Sequence, residues 1–316
     1  MSAPHDPFHT RYEVPVAGGR LSVSVAGAPA RHADRVILLV HGITASHVAW
    51  RAVARELSAD RGTCVLAPDL RGRGISAALP GPYGSTSHVA DLLALLDYVG
   101  TRQVHLAGHS MGAFIAARLA SEHPERVSSV FLVDGGLCIP VPADTDPDEL
   151  LAKMLGPALE RLGQIFTTRD DYISMWRRHP AFAAAWNTDV EAYVEYDLEP
   201  AGVPEAVRSV VSGEAVWTDG RELLVDEATR TAAERVRIPM RVLRAPRGLL
   251  DDDHPLITPG VLGEFLTAHP ATRAETVPDT NHYTILLGKG PGPLHVVSAL
   301  RHTLLGVSRQ NRPSAS

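Results

Sequence analysis

Gly108-His109-Ser110-Met111-Gly112 is the stretch from which this 316-residue chain is best read. It follows a short apolar run, Val104 to Ala107, and opens a segment of helical character, Ala113 to Ala120. A serine between glycines at a strand-to-helix junction sits on a sharp turn with its hydroxyl pushed outward. A turn that tight brings backbone to where a Cβ would clash, or needs φ > 0, and glycine tolerates both. The serine then stands at a helix N-terminus, where free N–H groups and the helix dipole favour negative charge. That environment suits an anionic tetrahedral intermediate.

On either side, the chain alternates between strand and helix. Val36 to Val40 is a continuous apolar run, as a strand buried on both faces of a parallel sheet requires. Upstream, Val14–Val16 and Leu21–Val25 flank a Gly-Gly turn and predict a hairpin. Ser46 can cap a helix to Leu57, Cys64 to Ala67 is the next strand, and Asp69 to Gly74 is a turn-rich loop. Val89, Leu92, Leu93, Leu96 and Val99 recur at helical spacing, with Gly100 as the stop. After the central strand and its helix, Val130 to Val133 is a further strand, ending in Asp134-Gly135-Gly136. Such alternation implies parallel β-α units in an α/β, doubly wound sheet.

Past Gly136 the alternation stops. About a hundred residues follow without a convincing strand, too long for a plain loop. Glu149–Leu162, Arg169–Arg177 and Ala181–Tyr196 are helix-like, so the segment reads as a helical cap inserted between core strands. The core resumes with a strand at 239–243, a helix from Thr258 or Pro259 to Ala268, a strand at Arg273–Val277, a loop through His282 and a closing helix. The expected organisation is core at 1–136, cap at 137–237, core again at 238–306 and a disordered tail at 307–316.

A formal charge of −6, with scattered Lys and Arg, gives no reason to expect nucleic acid. Two cysteines, Cys64 and Cys138, make no disulfide framework. The N-terminal stretch has no apolar h-region, and no apolar stretch is long enough to span a bilayer. The reading is a cytoplasmic protein acting on a small molecule, with no membrane partner. None of the 15 histidines completes a zinc spacing, so neither metal nor cofactor is expected.

His41-Gly42, the Gly108–Gly112 elbow and Asn281-His282 follow one another in the order of the α/β-hydrolase superfamily, which the chain resembles from about Val14 to Leu305. The resemblance implies that fold, with its helical cap after the sixth core strand. It makes Ser110 the nucleophile and His282 the base that takes its proton. It makes the backbone N–H groups of Ile43 and Met111 the oxyanion donors. His109 is expected to pack beside the serine. The triad order Ser, acid, His leaves two candidate acids. Asp251 ends Gly248-Leu249-Leu250-Asp251, the usual place but reached late; Asp134 ends the strand after the elbow. A base's partner should be shielded and held, which favours Asp134, with Asp251 as the alternative. Trp176, Trp186 and Tyr193, with Tyr196 and Met154, either wall an apolar pocket or form the cap's own core. Arg71 and Arg73 either hold a substrate carboxylate or form a solvated turn, and the turn is the favoured reading. The implied activity is cleavage of an ester, lactone or thioester through an acyl-enzyme. Cleavage of a C–C bond beside a ketone and a non-catalytic ligand receptor are the alternatives. Epoxide hydrolases and dehalogenases of this fold carry Asp at the elbow.

Overall fold

The computed structural model describes residues 6–141 and 144–310, with side chains as far as Leu304. Ten strands are present among them: β1 (Thr10–Val16), β2 (Gly19–Gly27), β3 (Arg35–Val40), β4 (Thr63–Pro68), β5 (Val104–His109), β6 (Val127–Val133), β7 (Leu198–Pro200), β8 (Val207–Ser209), β9 (Met240–Arg244) and β10 (Arg273–Thr276). Eight of them build one sheet in the order β1-β2-β4-β3-β5-β6-β9-β10. The first two pairings are antiparallel and every later one is parallel.

The uninterrupted apolar runs of β3, β5 and β6 follow from burial on both faces. Leu38, Val40, Leu106, Val130 and Leu132 join the core on one side of the sheet. Ile37, Leu39, Ala107, Phe131 and Val133 join the core on the other. Successive strand residues point to opposite faces, so both cores draw on each of these three strands.

The helices are α1 (Arg51–Ser58), α2 (Ser85–Val99), α3 (Met111–Glu122), α4 (Pro147–Leu162), α5 (Arg169–Arg177), α6 (Thr188–Tyr196), α7 (Gly213–Val225), α8 (Glu227–Arg230), α9 (Ala232–Arg235), α10 (Pro259–Ala268) and α11 (Gly292–Gln310). Leu92 and Leu96 of α2 and Ile115 and Leu119 of α3 pack on the first core. Val53 and Leu57 of α1 and Val297 and Leu300 of α11 pack on the second. Helices on both faces of a mostly parallel sheet are the doubly wound arrangement. Gly100 ends α2 with φ 69°, the left-handed conformation expected of a C-terminal glycine.

Between β6 and β9 lie α4 to α9 and an antiparallel ribbon of β7 and β8. The ribbon is a departure from the strandless insert read in the sequence. Its strands are three residues long and β7 contains Pro200, so neither displays an alternating pattern. The closing helix is a second departure, since α11 runs to Gln310 where a tail from 307 was expected. The rest of that tail, 311–316, lies outside the described residues. No helix among the described residues is long and apolar enough to cross a membrane.

Candidate active site

Ser110 occupies the turn between β5 and α3 with φ 55° and ψ −124°, a strained conformation for a residue with a Cβ. Its N–H donates to the Val133 carbonyl at 3.0 Å, and its carbonyl accepts from the Ala113 N–H at 2.9 Å. The flanking glycines are required by contact. A Cβ on Gly108 would stand 2.0 Å from the Gly112 carbonyl oxygen, and one on Gly112 would stand 2.3 Å from that of Val40. Met111, the first residue of α3, presents a backbone N–H at a helix start, where such groups lack an intrahelical acceptor.

The loop after β3 lies directly against the serine, since a Cβ on Gly42 would come within 3.1 Å of the Ser110 Cβ. His41 is fully buried and holds this loop. Its Nδ1–H donates to the Gly42 carbonyl at 2.8 Å, while its Nε2 accepts from the Leu70 N–H at 3.0 Å. The Gly42 carbonyl and the Ile43 N–H belong to one peptide unit and point in opposite directions. Drawing the carbonyl toward His41 therefore turns the Ile43 N–H the other way. Burial pushes the imidazole down to about 4, despite the nearby Asp69 carboxylate, so His41 stays neutral and keeps this tautomer.

His282 and Asp134 meet at the far ends of β6 and β10. The Asp134 Oδ2 accepts from the His282 Nδ1 at 2.7 Å, and its Oδ1 accepts from the Ala245 N–H at 2.9 Å. Asp134 has no solvent exposure, and its backbone N–H donates to the Leu243 carbonyl at 2.7 Å. It too has a left-handed backbone, φ 44°. With Nδ1 engaged, the other ring nitrogen of His282 is left for the cavity that His282 and Ser110 both line.

The loop carrying His282 is fastened by its neighbours. The Asn281 Oδ1 accepts from the N–H groups of Tyr283 and Thr284, and its Nδ2 donates to the Ala181 carbonyl and to Asp251. Asp251 therefore bonds to Asn281 at 2.9 Å and pairs with Arg247 at 2.9 Å. His109 stacks near His282, ring centroids 4.7 Å apart, and its Nε2–H donates to the His282 carbonyl. Burial and then the second imidazole hold His109 well below the usual range, which keeps it neutral.

A cavity of about 80 Å³ lies over Ser110. Leu151, Met154 and Leu155 of α4 and Leu223 and Leu224 of α7 supply much of its wall. Among the described residues, the side chains lining it include no Asp, Glu, Lys or Arg. Tyr193 and Met154 line it, whereas Trp176 and Trp186, expected as candidates, stand outside. Trp176 is buried against Phe182, Tyr193 and Tyr283, with the Arg161 guanidinium 5.1 Å from its ring. Trp186 packs on Phe182 and under Arg177. Trp176 stands on a buried face of α5 and Trp186 in the loop before α6, and both pack chiefly on aromatic side chains rather than on the cavity. Tyr196 hydrogen-bonds the buried Asp69 at 2.6 Å.

Arg71 and Arg73 are not a solvated turn. Arg71 makes a two-point pair with Asp91, at 2.8 and 2.7 Å. Arg73, fully buried, donates to the Ile43 carbonyl at 2.9 Å and to Asp219 at 2.5 Å. Sequence reasoning missed Asp219 and His88, which lie 146 and 15 positions beyond Arg73. The one available hint was Asp219 itself, an acid within an otherwise amphipathic helix.

A profile of the family described as alpha/beta hydrolase fold matches residues 35–163. N-formylmaleamate deformylase of Pseudomonas putida is 37% identical over 123 residues, 38% of this chain and 45% of that protein. Epoxide hydrolase 2 of Siraitia grosvenorii is 40% identical over 96 residues, 30% of each. The chain thus spans less than half the length of these curated relatives. The crystal structure of E-2-(acetamidomethylene)succinate hydrolase superposes with a TM-score of 0.73 at 20% identity, over 93% of this chain and 98% of that one. With its sheet order, its helical insert after the sixth strand and these similarities, the chain has the α/β-hydrolase fold.

Proposed function

We propose that the protein is a serine hydrolase that cleaves a carboxylic ester, lactone or thioester of a small, uncharged, apolar acyl group. The observation that carries this reading is the 2.7 Å contact between Asp134 and the Nδ1 of His282, which lines the same cavity as Ser110. The carboxylate fixes the imidazole with its basic nitrogen toward the cavity, as an activated serine needs. Ser110 attacks the acyl carbon, and His282 takes its proton. The oxyanion forms against the N–H groups of Met111 and Ile43. His282 then protonates the departing oxygen or sulfur, and a water activated by the same imidazole hydrolyses the acyl-enzyme.

The lining supports the substrate class. A ligand carboxylate in this cavity would find no Lys or Arg among the described residues to compensate its lost hydration. The acidic, succinate-type substrate for which the structurally similar hydrolase is named therefore does not transfer to this chain. Nor does epoxide opening, because the elbow carries Ser110.

Labelling with a fluorophosphonate and mapping the adduct tests the nucleophile. Ser110 should carry the label, and the wild type should turn over short p-nitrophenyl esters while Ser110→Ala does not. A labelled residue elsewhere, or full activity in Ser110→Ala, would refute the reading.

A further inference from the structure

Arg73 and Asp219 join two parts of the site that come from separate regions of the chain. Arg73 lies in the loop between β4 and α2, and its Nε–H donates to the carbonyl of Ile43 at 2.9 Å. Its Nη1 donates to the Arg71 carbonyl at 3.0 Å and to Asp219 of α7 at 2.5 Å. Asp219 also accepts from the His88 Nε2 at 3.0 Å and from the Gly84 N–H at 2.6 Å. All three side chains are buried. Burial favours the neutral acid at Asp219, but the charge of Arg73 and the bonds from His88 and Gly84 outweigh it and keep the carboxylate ionised.

The next residue, Gly220, lines the cavity, as do Leu223 and Leu224 of the same helix. A Cβ on Gly220 would stand 2.7 Å from Leu151 Cδ1 and 3.2 Å from Ile43 Cδ1. Helix α7 thus meets Ile43 twice. Gly220 touches its side chain, and Asp219 reaches its carbonyl through Arg73. On the other side of Ile43, His41 holds the Gly42 carbonyl. The two peptide units flanking Ile43 are therefore held separately, one by His41 and one through Arg73 by a helix that walls the cavity.

We propose that Arg73 and Asp219 are positioning residues that couple the acyl-binding wall to the oxyanion loop, so that acyl-chain fit is expressed in turnover more than in binding. The inference rests on the oxyanion role given to Ile43 above. An acyl chain that fills the cavity bears on α7, and α7 through this buried pair fixes the loop that must meet the developing oxyanion. Interactions realised in the transition state raise kcat, whereas those made equally in the ground state lower KM.

The test compares wild type, Arg73→Lys and Asp219→Asn on p-nitrophenyl esters of increasing chain length. Lysine retains a charge for Asp219 but lacks the Nε–H that the Ile43 carbonyl accepts. For the best ester, kcat should fall by about tenfold to a hundredfold, less than complete loss of an oxyanion donor, with KM nearly unchanged. The dependence of kcat on chain length should flatten. Affinity for a boronic acid of matching chain should fall with kcat, while affinity for the product carboxylic acid holds. Unchanged kcat and boronic-acid affinity in Arg73→Lys overturn the proposal. So does an equal loss of boronic-acid and product affinity, which marks a merely structural role. If Arg73→Lys does not fold, Asp219→Asn decides by the same comparison. Wild-type protein that leaves Ser110 unlabelled by a fluorophosphonate would instead remove the hydrolase reading on which the inference stands.

Discussion

The Nδ1 of His282 lies 2.7 Å from Asp134 Oδ2, while Asp251 is engaged by Asn281 and Arg247. The two carboxylates therefore have different expected consequences. Asp134→Asn replaces an acceptor by an amide that can present a donor to Nδ1, and so favours the wrong imidazole tautomer. Its kcat should fall on the order of 10⁴-fold with the fold intact. Asp251→Asn removes a charge from a partly exposed pair and loosens Asn281. It should cost no more than about tenfold in kcat and up to about 1 kcal/mol in stability. Steady-state kinetics on one short ester checks both, and an inactive Asp251→Asn beside an active Asp134→Asn would reverse the assignment.

The cavity wall offers a prediction about substrate size. Ala158 of α4 lines the space over Ser110. Ala158→Trp should fill much of it, since an indole adds more volume than a well-packed wall can absorb without strain. Short acetyl esters should still turn over within about fivefold of wild type, while kcat/KM for longer chains drops by about a hundredfold, close to 3 kcal/mol. Equal losses for every chain length would show that acyl groups bind elsewhere.

How far these features could be read in advance depended on how local their causes are. The runs of β3, β5 and β6 are legible because burial on both faces demands an unbroken apolar stretch. The elbow is legible because the steric limit on Gly108, set by the Gly112 carbonyl, acts within five residues. Asp134 and Asp251 could be ranked only by how shielded each place should be, since the approach of His282 spans 148 positions. The Arg73–Asp219 pair had no local trace, and a glycine-rich Arg-Gly-Arg-Gly loop reads as solvated until its partners arrive from α2 and α7. For Trp176, helical spacing fixes the face it shares with its neighbours on α5, but not whether that face meets a ligand or the insert's own aromatics.

Trp176 offers a test of that distinction. It packs among Phe182, Tyr193 and Tyr283 beneath the Arg161 guanidinium. Trp176→Ala should destabilise the fold by about 3–5 kcal/mol, as large-to-small changes at buried aromatics do. At a temperature where the variant is folded, KM for short esters should stay within about twofold of wild type, because the ring does not line the cavity. Urea unfolding followed by tryptophan fluorescence gives the first quantity and initial rates give the second. A large rise in KM without loss of stability would return Trp176 to the pocket.

Buried neutral histidines give the protein an early acid sensitivity. Burial holds His41 and His105 at about 4, each below the ordinary value of 6.5, and holds His109 well below that value too. In the unfolded chain these imidazoles take up protons as the pH falls through 6.5, while the folded chain leaves them neutral until near 4. The unfolded state binds more protons throughout that window, so stability falls as pH falls across it. The full effect for His41 or His105 is on the order of 3 kcal/mol, reached near pH 4. Asp69, which burial would push up but the charge and bonds of His47 bring down to about 2, adds a separate loss only below the ordinary carboxylate range. The urea midpoint should therefore decline steadily from pH 7 to pH 5, before carboxylates titrate. His105 bonds Ser129 at 2.8 Å within the sheet, away from the cavity lining, so His105→Gln separates this effect from catalysis. That variant should show a shallower decline with esterase activity retained at pH 7.5. A wild-type midpoint that is flat between pH 7 and pH 5 would mean that these imidazoles titrate alike in the folded and unfolded chain.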